Sequence, residues 1–226
     1  MSELIDTTEM YLRTILELEE EGVAPMRARI AERLNQSGPT VSQTVARMER
    51  DGLLDIDDDR RLLLTDLGRR AALRVMRKHR IAECLLVDII GVPWEEVHAE
   101  ACRWEHVISD DVERRLLAVL GGPTISPFGN PIPALDALAA PSDEAGGIVV
   151  PLTEVVGFDV RWFIVRRLAE PIQDDATVLA GLRRAGVTPG ASVKANRSTG
   201  GVSVGSGGEY VELVDQVALH VLVEAG

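Results

Sequence analysis

The sequence predicts a mainly α-helical protein with a small β part: an N-terminal winged helix-turn-helix, a helical middle domain and a C-terminal β-barrel. Apolar residues recur at helical spacing as far as Leu120. The segment from Pro127 to Pro133 is rich in turn formers, and beyond Gly147 short β-branched runs replace the helical period. The chain of 226 residues is long enough for two or three small domains. The predicted boundaries are 1–73, 74–140, a linker over 141–147, and 148–226.

Local signals in the N-terminal part predict three helices and a hairpin. Asp6 and Glu9 have capping-box spacing and start the first helix, which ends near Gly22. Ser37 caps the third helix, with Pro39 in its first turn, where the missing N–H does no harm. The second helix is predicted over 27–34, the third runs to residue 50, and two apolar runs around a polar turn predict a hairpin over 53–64. This is the order of elements in a winged helix-turn-helix.

Helices are also predicted over 66–90, 94–107 and 110–120. Beyond the linker, one helix over 176–185 lies among six short strands, and a small barrel is the natural way to close so short a set. The strands are predicted over 148–150, 160–165, 192–195, 202–204, 210–214 and 220–223. No apolar run is long enough to span a bilayer and the first residues lack a signal pattern, so we expect a cytoplasmic protein without a membrane segment.

The net charge of −12 argues against a protein that coats nucleic acid in general. The window from Arg27 to Arg50 is different, since five arginines there face only two glutamates, which gives a local charge of +3. Acidic runs at 19–21 and 57–59 flank this window. A confined positive surface on an acidic protein suits recognition of one face of a polyanion.

A cluster of metal-binding residue types lies on two successive predicted helices. One helix offers two donors four residues apart, and the next offers four that fall within an arc of about 100°. Nitrogen, sulfur and oxygen donors together suit Fe²⁺, Co²⁺, Ni²⁺ or Zn²⁺ better than Mg²⁺ or Ca²⁺. The residues are His79, Glu83, His98, Cys102, Glu105 and His106. No zincin-type motif or separate general base accompanies them, so an enzyme is the weaker interpretation.

At this point the sequence resembles the diphtheria toxin repressor and iron-dependent regulator family of metal-dependent transcriptional regulators. The similar segments cover about the first 140 residues almost without gaps, and the similarity over the rest is thin. They are 6–15, 27–34, 37–45, 76–80, 97–106 and 126–133. The resemblance implies a repressor and not an enzyme, with metal as the co-repressor that switches on operator binding. It also implies that the C-terminal barrel is SH3-like.

The resemblance further implies two metal sites in each subunit. The primary set is Met10, Cys102, Glu105 and His106. The ancillary set is His79, Glu83, His98, Glu170 and Gln173. Two sulfur ligands favour Fe²⁺ as the physiological metal, while Co²⁺, Ni²⁺, Mn²⁺ or Zn²⁺ can substitute in vitro. Spacing alone does not nominate Met10, because methionine is more often a packing residue.

For DNA, the third helix is expected to enter the major groove, with Gln43 able to bond base edges and the arginines placed on phosphates. The expected DNA-binding residues are Arg27, Arg29, Ser37, Pro39, Thr40, Gln43, Arg47, Arg50 and Arg60. We expect a homodimer, whose two-fold symmetry implies a palindromic double-stranded operator, with one or two dimers on each operator left open. The alternatives are a manganese-responsive regulator of the same fold, or a metal-binding enzyme or carrier with an incidental helix-turn-helix.

Overall fold

The computed structural model describes residues 7–135 and 149–224. The first of two compact units contains the described residues up to His79 together with Arg103–Ser109, and the second contains Arg80–Cys102 and the described residues from Asp110 onward. The chain therefore enters the first unit twice. The predicted cap Asp6 and the predicted linker over 141–147 lie outside the described residues, and the predicted domain boundaries stay predictions.

The first unit has the predicted order of three helices and a hairpin. Buried apolar residues from every element share one core, including Tyr11, Ile30, Val45 and Leu62. The elements are α1 (Thr7–Glu20), α2 (Arg27–Arg33), α3 (Gly38–Arg50), β1 (Leu54–Ile56) and β2 (Leu62–Leu64), followed by the start of α4 (Asp66–Leu85). β1 and β2 pair antiparallel. The winged helix-turn-helix is therefore confirmed.

The start of α3 follows from its sequence. The hydroxyl of Ser37 accepts a hydrogen bond from the backbone N–H of Thr40 at 3.3 Å, and Pro39 lies in the first turn. Val41, Val45 and Met48 are buried along one face of the helix. Because these three residues hold α3 in the core, the opposite face is left to the solvent.

After α4 the helices are shorter than predicted. A π-helical turn over Leu86–Ile90 ends at Gly91, whose φ of +79° suits glycine. A 3₁₀ turn then leads into α5 (Val97–Trp104), and α6 is Asp110–Val119. The helix predicted over 94–107 thus ends at Trp104, because the amides of Val107 and Ile108 both donate to the Trp104 carbonyl and close the last turn. Glu105 and His106 lie in this turn and not on the helix.

In the second unit, Ile81 and Cys84 of α4 pack with Ile132 and with leucines of α6. The turn-rich segment also makes an aromatic contact, since the rings of Trp94 and Phe128 lie 4.8 Å apart. None of the described helices has the length and apolar character that crossing a membrane requires.

The C-terminal part of the second unit is one antiparallel sheet of six strands in the order β3-β8-β4-β5-β6-β7. Its core consists of alternate residues such as Val165, Val193 and Val223. The strands are β3 (Val149–Pro151), β4 (Arg161–Leu168), β5 (Ser192–Ser198), β6 (Gly201–Gly205), β7 (Val211–Leu213) and β8 (Val221–Glu224), and the helices are α7 (Leu152–Val155), α8 (Glu170–Gln173), α9 (Ala176–Arg184) and α10 (Asp215–Ala218). The sequence predicted all six strands and α9. It missed α7, α8 and α10, since one helical turn is too short to show a period.

Candidate metal centre and DNA-binding surface

The predicted DNA-binding residues of α3 share one exposed face, opposite the buried face of the helix. Pro39, Thr40, Gln43, Arg47 and Arg50 are all exposed. They follow each other at helical spacing, so a major groove that accepted this helix would meet all five.

The other predicted DNA-binding residues lie at the cap of α3, on α2 and in the turn of the hairpin. Ser37, Arg29 and Arg60 are exposed, and Arg27 is half-buried. Arg29 pairs with Glu32 at 3.1 Å, an exposed pair that a phosphate can displace at little cost. In the turn of the hairpin, the carboxylate of Asp57 accepts a hydrogen bond from the backbone N–H of Arg61 at 2.8 Å. One carboxylate of the acidic run is thereby engaged within the turn.

In the first unit, the carboxylate of Glu105 is the centre of a buried cluster. Its Oε2 atom lies 2.6 Å from Nδ1 of His79 and 2.7 Å from Nη1 of Arg13. Its Oε1 atom lies 3.2 Å from Nε2 of His106. The side chains of Glu105 and His79 are 1% and 0% exposed, so water contributes little to their solvation.

His106 joins this cluster to the first turn of α1. Its Nδ1 atom lies 2.8 Å from Oε2 of Glu9, while its Nε2 atom faces Glu105. Met10, the next residue after Glu9, is half-buried and packs against the core of the same unit. Three members of the predicted primary set, Met10, Glu105 and His106, therefore belong to one compact unit together with α3.

Charges in this cluster shift two pKa values. Burial by itself raises the pKa of Glu105, but the Arg13 guanidinium and the two histidines outweigh it, and the net pKa is lowered. Burial lowers the pKa of His106, whereas the contact with Glu9 and the charge of Glu105 raise it, and the net pKa is raised. The folded unit therefore favours an ionised Glu105 beside a protonated His106. When His106 loses its proton, a carboxylate and a neutral imidazole remain, and both are forms that bind metal ions.

In the second unit, His98 is 1% exposed and has carboxylate or thiol groups next to both of its ring nitrogens. Its Nδ1 lies 3.3 Å from Oε1 of Glu83, and its Nε2 lies 3.5 Å from Sγ of Cys102 and 3.3 Å from Oδ1 of Asp174. Burial would lower the pKa of His98, but Cys102 and the carboxylates raise it well above its usual range. Imidazole, thiol and carboxylate thus converge within this unit.

Helix α8 brings the two predicted C-terminal ligands into this region. Glu170 and Gln173 are 4% and 2% exposed. Gln173 donates its amide N–H to the carbonyl of Leu168 at 2.7 Å, which leaves its buried Oε1 without a hydrogen-bond partner among the described residues. Glu170 is engaged by Arg80, whose Nη2 lies 2.6 Å from Oε1. Burial raises the pKa of Glu170, and the charge of Arg80 more than offsets this, so the pKa is lowered.

The residues present fit a divalent transition metal. An unpartnered buried amide oxygen is costly unless a cation or water satisfies it, and Gln173 offers such an oxygen. The mixed nitrogen, sulfur and oxygen donors suit the same class of ion. Cys84, by contrast, is a packing residue, since burial raises its pKa to about 12 and keeps it as the thiol.

Sequence reasoning missed four residues in these clusters: Glu9, Arg13, Arg80 and Asp174. Each meets its partner through tertiary packing, as with Arg13 and Glu105 or Arg80 and Glu170, so no local period shows the pairing. Glu9 and Asp174 lie directly beside the predicted ligands Met10 and Gln173. That adjacency was the one signal available.

Comparisons with known proteins define the class of protein. Residues 3–62 match the model of the iron-dependent repressor N-terminal DNA-binding domain, and residues 65–134 match the iron-dependent repressor metal-binding and dimerisation domain. The iron-dependent repressor IdeR of Mycobacterium tuberculosis is 58% identical over 99% of both chains. The diphtheria toxin repressor of Corynebacterium diphtheriae is 52% identical over 99% of both chains.

Solved structures agree with this class. A manganese-dependent transcriptional repressor in complex with manganese superimposes with a TM-score of 0.78 at 29% identity, over 96% of this chain and 99% of its own. The crystal structure of the T. acidophilum IdeR gives a TM-score of 0.74 at 27% identity, over 96% and 97%. The chain belongs to the family of iron-dependent repressors, which are DNA-binding transcriptional regulators and not enzymes.

Proposed function

We propose that this chain is an Fe²⁺-responsive repressor that binds palindromic operator DNA as a homodimer in the cytoplasm, and that it controls genes of metal homeostasis. Family membership establishes a metal-binding, dimerising, DNA-binding repressor. The similarity to iron-dependent relatives supports Fe²⁺, as do the sulfur donors in the predicted primary set. A manganese-responsive regulator is the second candidate, favoured by the likeness to the manganese-dependent repressor.

The observation that carries the proposal is the contact between α1 and the Arg103–Ser109 segment inside the first unit. Glu9 lies 2.8 Å from His106, and Arg13 lies 2.7 Å from Glu105. α1 also packs in the same core as α3. A metal ion that fixed Glu105 and His106 would therefore act on the same unit that carries the exposed face of α3.

We also propose that each subunit has two metal sites. The primary set is Met10, Cys102, Glu105 and His106, and the ancillary set is His79, Glu83, His98, Glu170 and Gln173. When bound, a divalent ion supplies two positive charges and directional bonds. The residues of this chain then hold α1 in place, which favours the arrangement that matches two operator half-sites.

A gel shift under anaerobic conditions tests this function. We expect retardation of a palindromic operator with Fe²⁺ and none in the presence of a chelator. Met10→Ala should keep its fold but no longer retard the operator when Fe²⁺ is added. Metal binding without any DNA affinity would exclude a repressor. Parallel titrations with Fe²⁺ and Mn²⁺ at buffered free concentrations decide between the two candidate metals.

The role of the exposed α3 arginines has its own test. Arg47→Ala should weaken binding about equally on operator and random duplex, because a phosphate contact carries no sequence information. Gln43→Ala should weaken only operator binding. A loss on the operator alone for Arg47→Ala would refute the phosphate role.

A further inference from the structure

A guanidinium group lies among the proposed cation ligands of the first unit, which is unexpected for a site that must attract a positive ion. Arg13 of α1 is 12% exposed, and its Nη1 atom lies 2.7 Å from Oε2 of Glu105 and 3.2 Å from Nδ1 of His79. A buried positive charge this close to a ligand reduces the negative potential that a metal ion meets. The arginine therefore affects how much positive charge the cluster accepts.

The two oxygens of Glu105 have different surroundings. Oε2 contacts both Arg13 and His79, at 2.7 and 2.6 Å. Oε1 faces Nε2 of His106 at 3.2 Å. One oxygen is thus committed to groups of the protein, and the other is directed toward a second proposed ligand.

Arg13 is itself held in place. Its Nε atom lies 3.0 Å from Oε1 of Glu17, whose side chain is 4% exposed, and Glu17 also contacts Arg33 at 3.6 Å. A planar guanidinium fixed by carboxylates on two sides has little freedom to turn away. Its charge is permanent, because arginine keeps its proton at every physiological pH.

We propose that Arg13 is a specificity-determining residue that occupies the Oε2 side of Glu105 as a built-in cation and so limits the primary ligands Glu105 and His106 to a single divalent ion. The inference rests on the proposed function, since it takes Glu105 and His106 as ligands. Without the guanidinium, Oε2 of Glu105 would keep its contact with Nδ1 of His79 at 2.6 Å, and Oε1 of Glu17 would lose the cation that now faces it at 3.0 Å. Two-metal sites of this composition hold ions about 3.5–4 Å apart on shared carboxylates.

The test counts bound metal ions in the full-length protein. Equilibrium dialysis against buffered Mn²⁺ gives the number of ions per chain, and electron paramagnetic resonance detects exchange coupling between neighbouring Mn²⁺ ions. Arg13→Glu should bind one more Mn²⁺ per chain than the unaltered protein and show a coupled pair. Arg13→Lys, which keeps the charge, should bind the same number as the unaltered protein.

A matched control and a second variant make the outcome decisive. Arg69→Glu reverses the same charge at a more exposed pair with Glu19, 2.8 Å apart in the same unit, and should leave the count unchanged. Arg13→Gln removes the charge without adding an anion, and it should bind the same additional ion at higher free Mn²⁺. This variant replaces Arg13→Glu in the test if circular dichroism shows that Arg13→Glu does not fold. An unchanged count and no coupling in folded Arg13→Glu or Arg13→Gln overturn the inference. Absence of both Mn²⁺ and anaerobically supplied Fe²⁺ from the unaltered protein would instead overturn the proposed function.

Discussion

Replacing Arg80 by methionine removes one partner of a buried ion pair and measures what that pair contributes. Arg80 is fully buried and the Glu170 side chain is 5% exposed. The guanidinium donates to Oε1 of Glu170 from Nη2 at 2.6 Å and from Nε at 3.2 Å, and to the carbonyl of Pro131 from Nη1 at 2.6 Å. Arg80→Met leaves the carboxylate buried without its counter-charge, so we expect a loss of about 3–5 kcal/mol in the free energy of unfolding.

The chain offers a matched control for this substitution. Arg166 and Glu224 are also 2.6 Å apart and belong to the same unit, but their side chains are 45% and 34% exposed. Because water screens this pair, Arg166→Met should lower the free energy of unfolding by only about 0–1 kcal/mol. The two variants remove the same chemical group and differ in the burial of the pair.

Urea unfolding of the full chain in a chelator, followed by far-UV circular dichroism, measures both effects. With a slope of about 2–3 kcal/mol per molar urea, Arg80→Met should lower the midpoint by about 1–2 M. Combining it with Glu170→Gln should recover part of the loss, since the buried charge then disappears. A midpoint for Arg80→Met equal to that of Arg166→Met would refute the reasoning from burial.

Three further predictions concern packing, metal affinity and pH. Gly68→Ala would place its Cβ 1.8 Å from the carbonyl oxygen of Leu53, so thermal unfolding should show a loss of about 3 kcal/mol or more, while Gly157→Ala, with no atom within 4 Å, should stay within about 0.5 kcal/mol. Glu9→Gln should weaken Mn²⁺ binding by about 10–100-fold in calorimetry, because Glu9 contacts Nδ1 of the proposed ligand His106, and an unchanged affinity would argue against that role. Since the pKa of His106 is raised in the folded protein, the stability gained from its contact with Glu9 should be fully present below about pH 6.5 and fade as the pH rises through the folded pKa. The test compares the free energies of unfolding of the metal-free protein and of Glu9→Gln at several pH values. A difference between them that widens with pH would contradict this.

Local chemistry explains why the exposed face of α3 could be predicted from the sequence. The cap at Ser37, the early Pro39 and the buried row from Val41 to Met48 are all contained within about four turns of one helix. Their spacing fixes which face of α3 is exposed. Nothing outside the helix is needed for that prediction, and the structure agrees with it.

The candidate metal centre was harder to predict from the sequence, for a physical reason. The arc expected from helical spacing assumes that the helix continues to His106, whereas α5 ends at Trp104. Glu105 and His106 then leave the helical period and meet Arg13 and Glu9 of α1, which are 92 and 97 residues away in sequence. Pairings at such separations depend on the tertiary fold, and a single sequence does not contain them.

The double entry of the chain into the first unit has a consequence during synthesis. When His79 leaves the ribosome, α1 to α3 are complete, but Glu9 and Arg13 lack partners that the Arg103–Ser109 segment supplies later. At about 5–20 residues per second, the intervening residues of the second unit take about 1–5 s to translate. During this time the nascent DNA-binding unit lacks the contacts of Glu9 with His106 and of Arg13 with Glu105, and a fragment cut at residue 79 would lack them permanently. A recombinant fragment that includes every segment of this unit extends to Ser109.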